Sequence, residues 1–217
     1  MQVTEAQTQI TVLYEDAALV VCVKPRGVLA AADASGKRSM AELLAPRTVY
    51  PVHRLDRETV GLMVFAKTRE AAAALSAQLG EGFCKEYLAQ CETPPAPPEG
   101  TLEDLLYHDR VKNKTYVVAR KRSGVRPARL SYRALDGGLV LVRLHTGRTH
   151  QIRVQLASRG WPLCGDRKYG AKTGGALGLW AYRLTFRHPD GREMAFTLPE
   201  NFLPQAFSAC KSDGTVL

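Results

Sequence analysis

The chain has 217 residues, 45% apolar and 24% charged, ordinary proportions for a soluble globular protein and enough for one large domain or two small ones. Its five cysteines (Cys22, Cys84, Cys91, Cys164, Cys210) are odd in number, scattered and never in a C-x-x-C pair, which excludes a disulfide framework and a zinc site; the longest apolar run, residues 17–23, is too short to span a bilayer. Thirty Lys and Arg against 21 Asp and Glu leave a charge of +9 and a pI near 9.5, so an anionic partner is expected, nucleic acid first.

In chain order, Ile10, Val12 and Tyr14 alternate with polar residues and predict a strand, and the apolar run 19–23 predicts a second. Lys24-Pro25-Arg26-Gly27 opens a loop through Lys37. Ser39-Met40-Ala41-Glu42 reads as a capping box for a short helix that Pro46 closes. Strands are predicted at 49–55 and 61–66, flanking a turn at Asp56, and Thr68 caps a helix over 69–79 stopped by Gly80 and Gly82. A strand at 83–91 leads into Thr93-Pro94-Pro95-Ala96-Pro97-Pro98, an extended run that cannot pair inside a sheet and reads as a rigid surface excursion at 93–98. Further strands are expected at 115–118, 128–134 and 139–145, then a helix over 149–158, a Gly-rich loop, strands at 179–186 and 193–198 around the turn His188-Pro189-Asp190-Gly191, and a terminal helical segment. Many strands with few helices, in no regular alternation, predict an α+β fold: a mixed, largely antiparallel β-sheet with flanking helices.

The charge is unevenly spread. Between Arg110 and Arg133 stand nine basic residues (Arg110, Lys112, Lys114, Arg120, Lys121, Arg122, Arg126, Arg129, Arg133) and no acid; between Arg143 and Lys172 come seven more against the single acid Asp166. Two such dense regions fit a surface that tracks phosphates. Residues 1–5 carry no basic-then-apolar targeting signal, and the thiols are expected to be reduced and mostly buried, so the location expected is cytoplasmic. His145 and His150 near Cys164 match no familiar metal-ligand spacing.

Three segments carry the chemistry. His53-Arg54-Leu55-Asp56-Arg57-Glu58-Thr59, followed by Gly61-Leu62-Met63-Val64-Phe65-Ala66-Lys67, resembles the catalytic motif of the RluA-type family of RNA pseudouridine synthases. Lys85-Glu86-Tyr87-Leu88-Ala89 resembles the family's K-x-Y motif, and Thr146-Gly147-Arg148-Thr149-His150-Gln151-Ile152-Arg153 with Gly165-Asp166-Arg167-Lys168-Tyr169-Gly170 resembles its third. The first and third are long and specific, order and spacing agree, and the resemblance covers residues 10–198. It implies the pseudouridine synthase fold, one catalytic domain over 1–217, and an RNA substrate in ribosomal or transfer RNA, in a stem-loop. Fewer than ten residues precede the first strand, so the small N-terminal RNA-binding module of many relatives is expected to be absent, and the 110–133 segment to take over target recognition. A monomer is expected.

The implied reaction detaches uracil from ribose and rejoins the sugar to carbon 5. As an isomerisation it needs no water, redox carrier, cofactor or metal. It needs a carboxylate beside the ribose, which the resemblance assigns to Asp56. That carboxylate has to stay ionised while the base excludes water, and the resemblance makes Arg153 the guanidinium that favours the charged form. Tyr87 is implied to stack on the base and help remove the proton at carbon 5. The uridine has to leave its stack, with Arg54 filling the gap, and Lys85 and Arg148 are expected at the RNA, Lys85 on Asp56 or on phosphate.

Each residue has a plainer reading: Asp56 as a turn residue, Arg153 as a surface ion-pair partner, Tyr87 as core. His53, His150 and Gln151 read as scaffold groups, Gly147 and Gly165 as turn residues. Val60 stands where many relatives have Ser, and Trp161 and Trp180 where His is common; these touch the fit of the pocket rather than its catalytic groups. A catalytically silent RNA-binding protein on the same scaffold would bind RNA with steep salt dependence and isomerise nothing. A hydrolase using Asp56 and Glu58 as an acid pair fits least, because neighbouring positions on one strand cannot straddle a glycosidic bond.

Overall fold

A computed structural model describes residues 9–33 and 36–207; Cys210, the segment read for a targeting signal and the end of the expected terminal helix lie outside the described residues. The strands are β1 (Val12–Glu15), β2 (Leu19–Lys24), β3 (Tyr50–Pro51), β4 (Val60–Ala66), β5 (Cys84–Gln90), β6 (Glu99–Asp109), β7 (Lys114–Val118), β8 (Val125–Ala134), β9 (Leu139–Leu144), β10 (Leu179–Arg187) and β11 (Glu193–Thr197); the helices are α1 (Met40–Leu43), α2 (Arg69–Ser76) and α3 (Gln151–Ala157). All strands join one sheet in the order β1-β2-β4-β10-β5-β9-β8-β6-β7, with β3 on β4 and β11 on β10. β4 and β10 pair in parallel, and the other ladders are antiparallel, so the sheet is mixed and largely antiparallel as the patterning predicts.

The central strands are buried on both faces, which is why β2 and β4 read as continuous apolar runs rather than alternating ones. On one face Val20, Cys22, Met63, Phe65, Tyr87 and Val142 pack against Met40 and Leu44 of the α1 region and Ile152 and Leu156 of α3. On the other, Val21, Leu62, Val64 and Leu184 pack under Ala71 and Leu75 of α2. Ser39 caps α1 in the predicted capping box with Glu42, and Thr68 caps α2 by accepting the Ala71 amide at 3.1 Å. The proline run feeds directly into the same sheet, where the Tyr132 hydroxyl donates to Pro97 O at 3.2 Å.

Two elements differ from the sequence expectation. The strand expected over 49–55 shrinks to β3, because the chain leaves the ladder at Val52 and the Val64 amide donates instead to His53 Nε2 at 3.3 Å. Asp56 therefore sits on an irregular turn, closed by Thr59 N to Asp56 O at 3.0 Å, and not at the end of a strand. The longest strand, β6, has no predicted counterpart. Its acids and glycine argue against a strand, yet β8 supplies cross-strand partners: Glu99 faces Arg133 and Glu103 faces Arg129, with Arg129 Nε 3.2 Å from the carboxylate.

Candidate active site

The Asp56 turn is clamped from below. Lys24, fully buried at the end of β2, donates to the carbonyls of Pro25, Val28 and Arg57 at 2.8, 2.8 and 2.9 Å. Burial pushes its pKa down to about 8, against the charges of Glu58 and Asp56 that favour the ammonium. Opposite stands the start of α3. Gln151 fixes the preceding loop, its side-chain oxygen accepting from the Thr146 hydroxyl and the Arg148 amide (2.8 and 3.0 Å) while its Nε2 donates to Arg129 O at 3.1 Å. This is the scaffold part expected of Gln151.

Asp56 and Arg153, 97 residues apart, meet here: Arg153 Nη1 donates to Asp56 Oδ2 at 3.2 Å. The guanidinium is itself held in a fork by Asp166, Nε to Oδ2 at 2.7 Å and Nη2 to Oδ1 at 2.8 Å. Asp166 is buried because Gly165 turns the chain in at φ +73, where a Cβ would strike the backbone of Ala176. Burial works against the Arg153 charge, but the hydrogen bonds and charge of Asp166, then those of Asp56, outweigh it and hold its pKa above the usual arginine value. The cation is thus permanent and its direction is set. Tyr87, on the central strand β5, is buried beside this pair; burial and then the Asp56 charge push its phenol above the ordinary value, so it stays neutral.

A cavity of about 500 Å³ opens over these groups, within the range of small-molecule sites. His53, Arg54, Asp56, Lys85, Tyr87 and Arg148 all line it. Arg54 and Arg148 are exposed at its mouth, Arg148 Nε donating to Pro127 O at 3.0 Å. Lys85 lies two positions from Tyr87 on the same face of β5 and makes no hydrogen bond or ion pair with Asp56; burial lowers its pKa. Glu58 pairs instead with Arg57 at 2.8 Å and does not line the cavity, and Asp56 is on a turn, so the hydrolase pairing has no geometric basis.

The 110–133 basic segment is not gathered at the cavity. It runs through the edge strand β7 and on into β8, with Arg110 and Lys112 exposed at the β6–β7 turn and Arg120, Lys121 and Arg122 exposed on the β7–β8 loop; Arg122 lies over the Tyr107 ring at 4.9 Å. Lys114 reaches toward the site, 5.4 Å from the centre of the Tyr169 ring. Part of the segment's charge is met by the acids of β6, as the Arg129–Glu103 pair shows.

Four groups at the site were given no role from sequence: Asp166 and Tyr169, although both stand in the third motif, and Lys24 and Thr115. Asp166 had a signal, being the only acid among the basics of 143–172. Tyr169 lies under the Arg153 guanidinium at 5.1 Å and its hydroxyl meets His150 Nδ1 at 2.8 Å and the Thr115 amide at 2.8 Å. No spacing rule announces such a contact. Of the departures, Trp161 packs on Tyr132 (5.5 Å between ring centres) and Val60 and Trp180 face each other across the parallel β4–β10 ladder, none of them lining the cavity. Of the thiols, Cys22 and Cys91 are buried and Cys84 and Cys164 half-buried, all free. Among the described residues no group of three or more His, Cys, Asp or Glu is gathered to hold a metal, and no helix is long and apolar enough to cross a membrane.

Residues 18–158 match the family profile described as RNA pseudouridylate synthase. The dual-specificity RNA pseudouridine synthase RluA of Escherichia coli K12 is 32% identical over 206 residues, covering 89% of this chain and 94% of that protein. The ribosomal large subunit pseudouridine synthase D of Neisseria meningitidis serogroup A is 34% identical over 88% of this chain, which spans 58% of that longer protein. Among solved structures, human RNA pseudouridylate synthase domain containing 1 superposes with a TM-score of 0.77 at 21% identity over 97% of this chain and 90% of that one. Human RNA pseudouridylate synthase domain containing 4 does so with 0.72 at 23% identity over 88% and 90%.

Proposed function

The chain belongs to the RNA pseudouridylate synthase family and is an RluA-type isomerase of uridine in RNA; we propose that Asp56 is its nucleophile, working on a uridine turned out of an RNA stem-loop into the cavity above Tyr87. The observation that carries the reading is the chain of contacts Asp56–Arg153–Asp166, in which a buried, doubly held guanidinium meets a partly open carboxylate at 3.2 Å. A cation already fixed beside the carboxylate costs no reorganisation during the reaction.

The chemistry balances within the substrate. The bond from ribose C1′ to uracil N1 breaks, the ring turns, C5 bonds to C1′, and the proton lost from C5 is matched by one gained at N1. Asp56 serves the sugar side, Tyr87 offers its ring face to the base, and Arg54 at the mouth fills the gap left in the stack. Lys85 and Arg148 serve the nucleotide and its phosphates. Lys114 and the exposed Arg110, Lys112, Arg120, Lys121 and Arg122 take the flanking RNA. One domain suffices for this, acting as a monomer in the cytoplasm on structured ribosomal or transfer RNA.

Pseudouridines mapped in total ribosomal and transfer RNA, with and without this gene product, test the reading. At least one site is expected to lose its pseudouridine without the protein and to regain it when purified protein is added to the unmodified RNA. No difference at any site overturns the reading.

A further inference from the structure

His150 occupies a strained position for a scaffold group. It is 8% exposed, stands immediately before α3, and has left-handed backbone angles (φ 54, ψ 23) that non-glycine residues seldom adopt. Its ring is clamped at one nitrogen. The Tyr169 oxygen accepts the Thr115 amide at 2.8 Å and lies 2.8 Å from His150 Nδ1. A phenol that donates to the Nδ1 lone pair keeps the imidazole proton on Nε2, the nitrogen that faces Asp56. Nε2 lies 3.9 Å from Asp56 Oδ2, the same oxygen that Arg153 holds. Burial, with the Arg153 charge added to it, outweighs the Asp56 charge and lowers the ring's pKa to about 4, so it is a neutral donor.

We propose that His150 is a positioning residue for Asp56: held in the Nε2–H form by Tyr169, it closes on Oδ2 once substrate is bound and, with Arg153, leaves Oδ1 as the reacting oxygen. Among the described residues Oδ1 receives no hydrogen bond, whereas both donors address Oδ2. A contact of 3.9 Å without substrate shortens on binding, as catalytic hydrogen bonds commonly do. The inference rests on the proposed role of Asp56.

The left-handed backbone separates this role from a structural one. A residue kept only for its backbone angles is best replaced by Gly or Asn, which tolerate that region. A residue kept for its Nε2–H is best replaced by Gln, whose amide nitrogen reaches the Nε2 position, whereas that of Asn reaches only Nδ1. Pseudouridine formation is measured at saturating and limiting RNA for His150→Gln, His150→Asn and His150→Gly, with thermal unfolding of each. We expect His150→Gln to keep kcat within several-fold, and Asn and Gly to lose on the order of 100-fold in kcat with KM little changed. Tyr169→Phe is expected to lower kcat in the parent and to add nothing in the His150→Gln background, which has no tautomer to fix. Asn and Gly matching the parent, all three variants falling alike, or Tyr169→Phe acting additively overturns the proposal. Parent protein that forms no pseudouridine overturns the underlying reading instead.

Discussion

Arg153 meets two carboxylates with one positive charge, and the two are unequal partners. Asp166 is buried (1% side-chain exposure) and grips the guanidinium with both oxygens; Asp56 (23%) touches it with one. The structural hold is therefore Asp166, and the partner left half-open to the cavity is Asp56. Asp166→Asn keeps the shape and one acceptor but leaves the buried cation with half its compensation, and breaking a buried pair is costly. Urea unfolding is expected to show a loss of about 3 kcal/mol, with kcat falling as Arg153 loses its direction. An unchanged unfolding midpoint would show that Arg153 needs no anchor.

At the scale of elements, the site depends on β4, β10 and β5 lying close. Gly61 (φ +132) faces Ala181, where any Cβ would strike the Ala181 backbone; Ala181 in turn pairs with Tyr87. Gly61→Ala therefore combines a clash with a backbone region that only glycine occupies easily, and a loss of more than about 2 kcal/mol is expected in thermal or urea unfolding. A variant as stable as the parent would contradict the register. Such constraints explain what the sequence discloses. β2 and β4 are legible because burial on both faces makes them apolar throughout, and α1 and α2 because Ser39 and Thr68 announce their caps. β6 is illegible because its acids and glycine are set opposite β8, a register that exists only in three dimensions. The site divides likewise. Asp56 and Arg153 stand out within long motifs and Tyr87 by its place between them, whereas the parts of Lys24 and Tyr169 come from carbonyls and rings folded against them.

For the whole molecule, buried neutral histidines set an acid limit. Burial, helped by the Lys85 charge, lowers the folded pKa of His53 to about 3, and burial lowers that of His150 to about 4 despite Asp56. An unfolded histidine titrates near 6.5, so below that pH the unfolded chain binds more protons than the folded one. Stability is full above about pH 6.5 and falls as the pH drops through 6 toward 5, each histidine approaching about 1.4 kcal/mol per pH unit. Urea unfolding at pH 7, 6 and 5 checks this, and a flat profile would contradict neutral burial. The same histidines line the cavity that holds Asp56, the proposed reacting carboxylate. Tritium release from RNA labelled at uridine carbon 5 is measured for the parent and for Asp56→Asn, which keeps the volume and removes the charge. Release by the parent and none above background from Asp56→Asn, with RNA binding and unfolding retained, is the predicted result. Release from Asp56→Asn at the parental rate would contradict it.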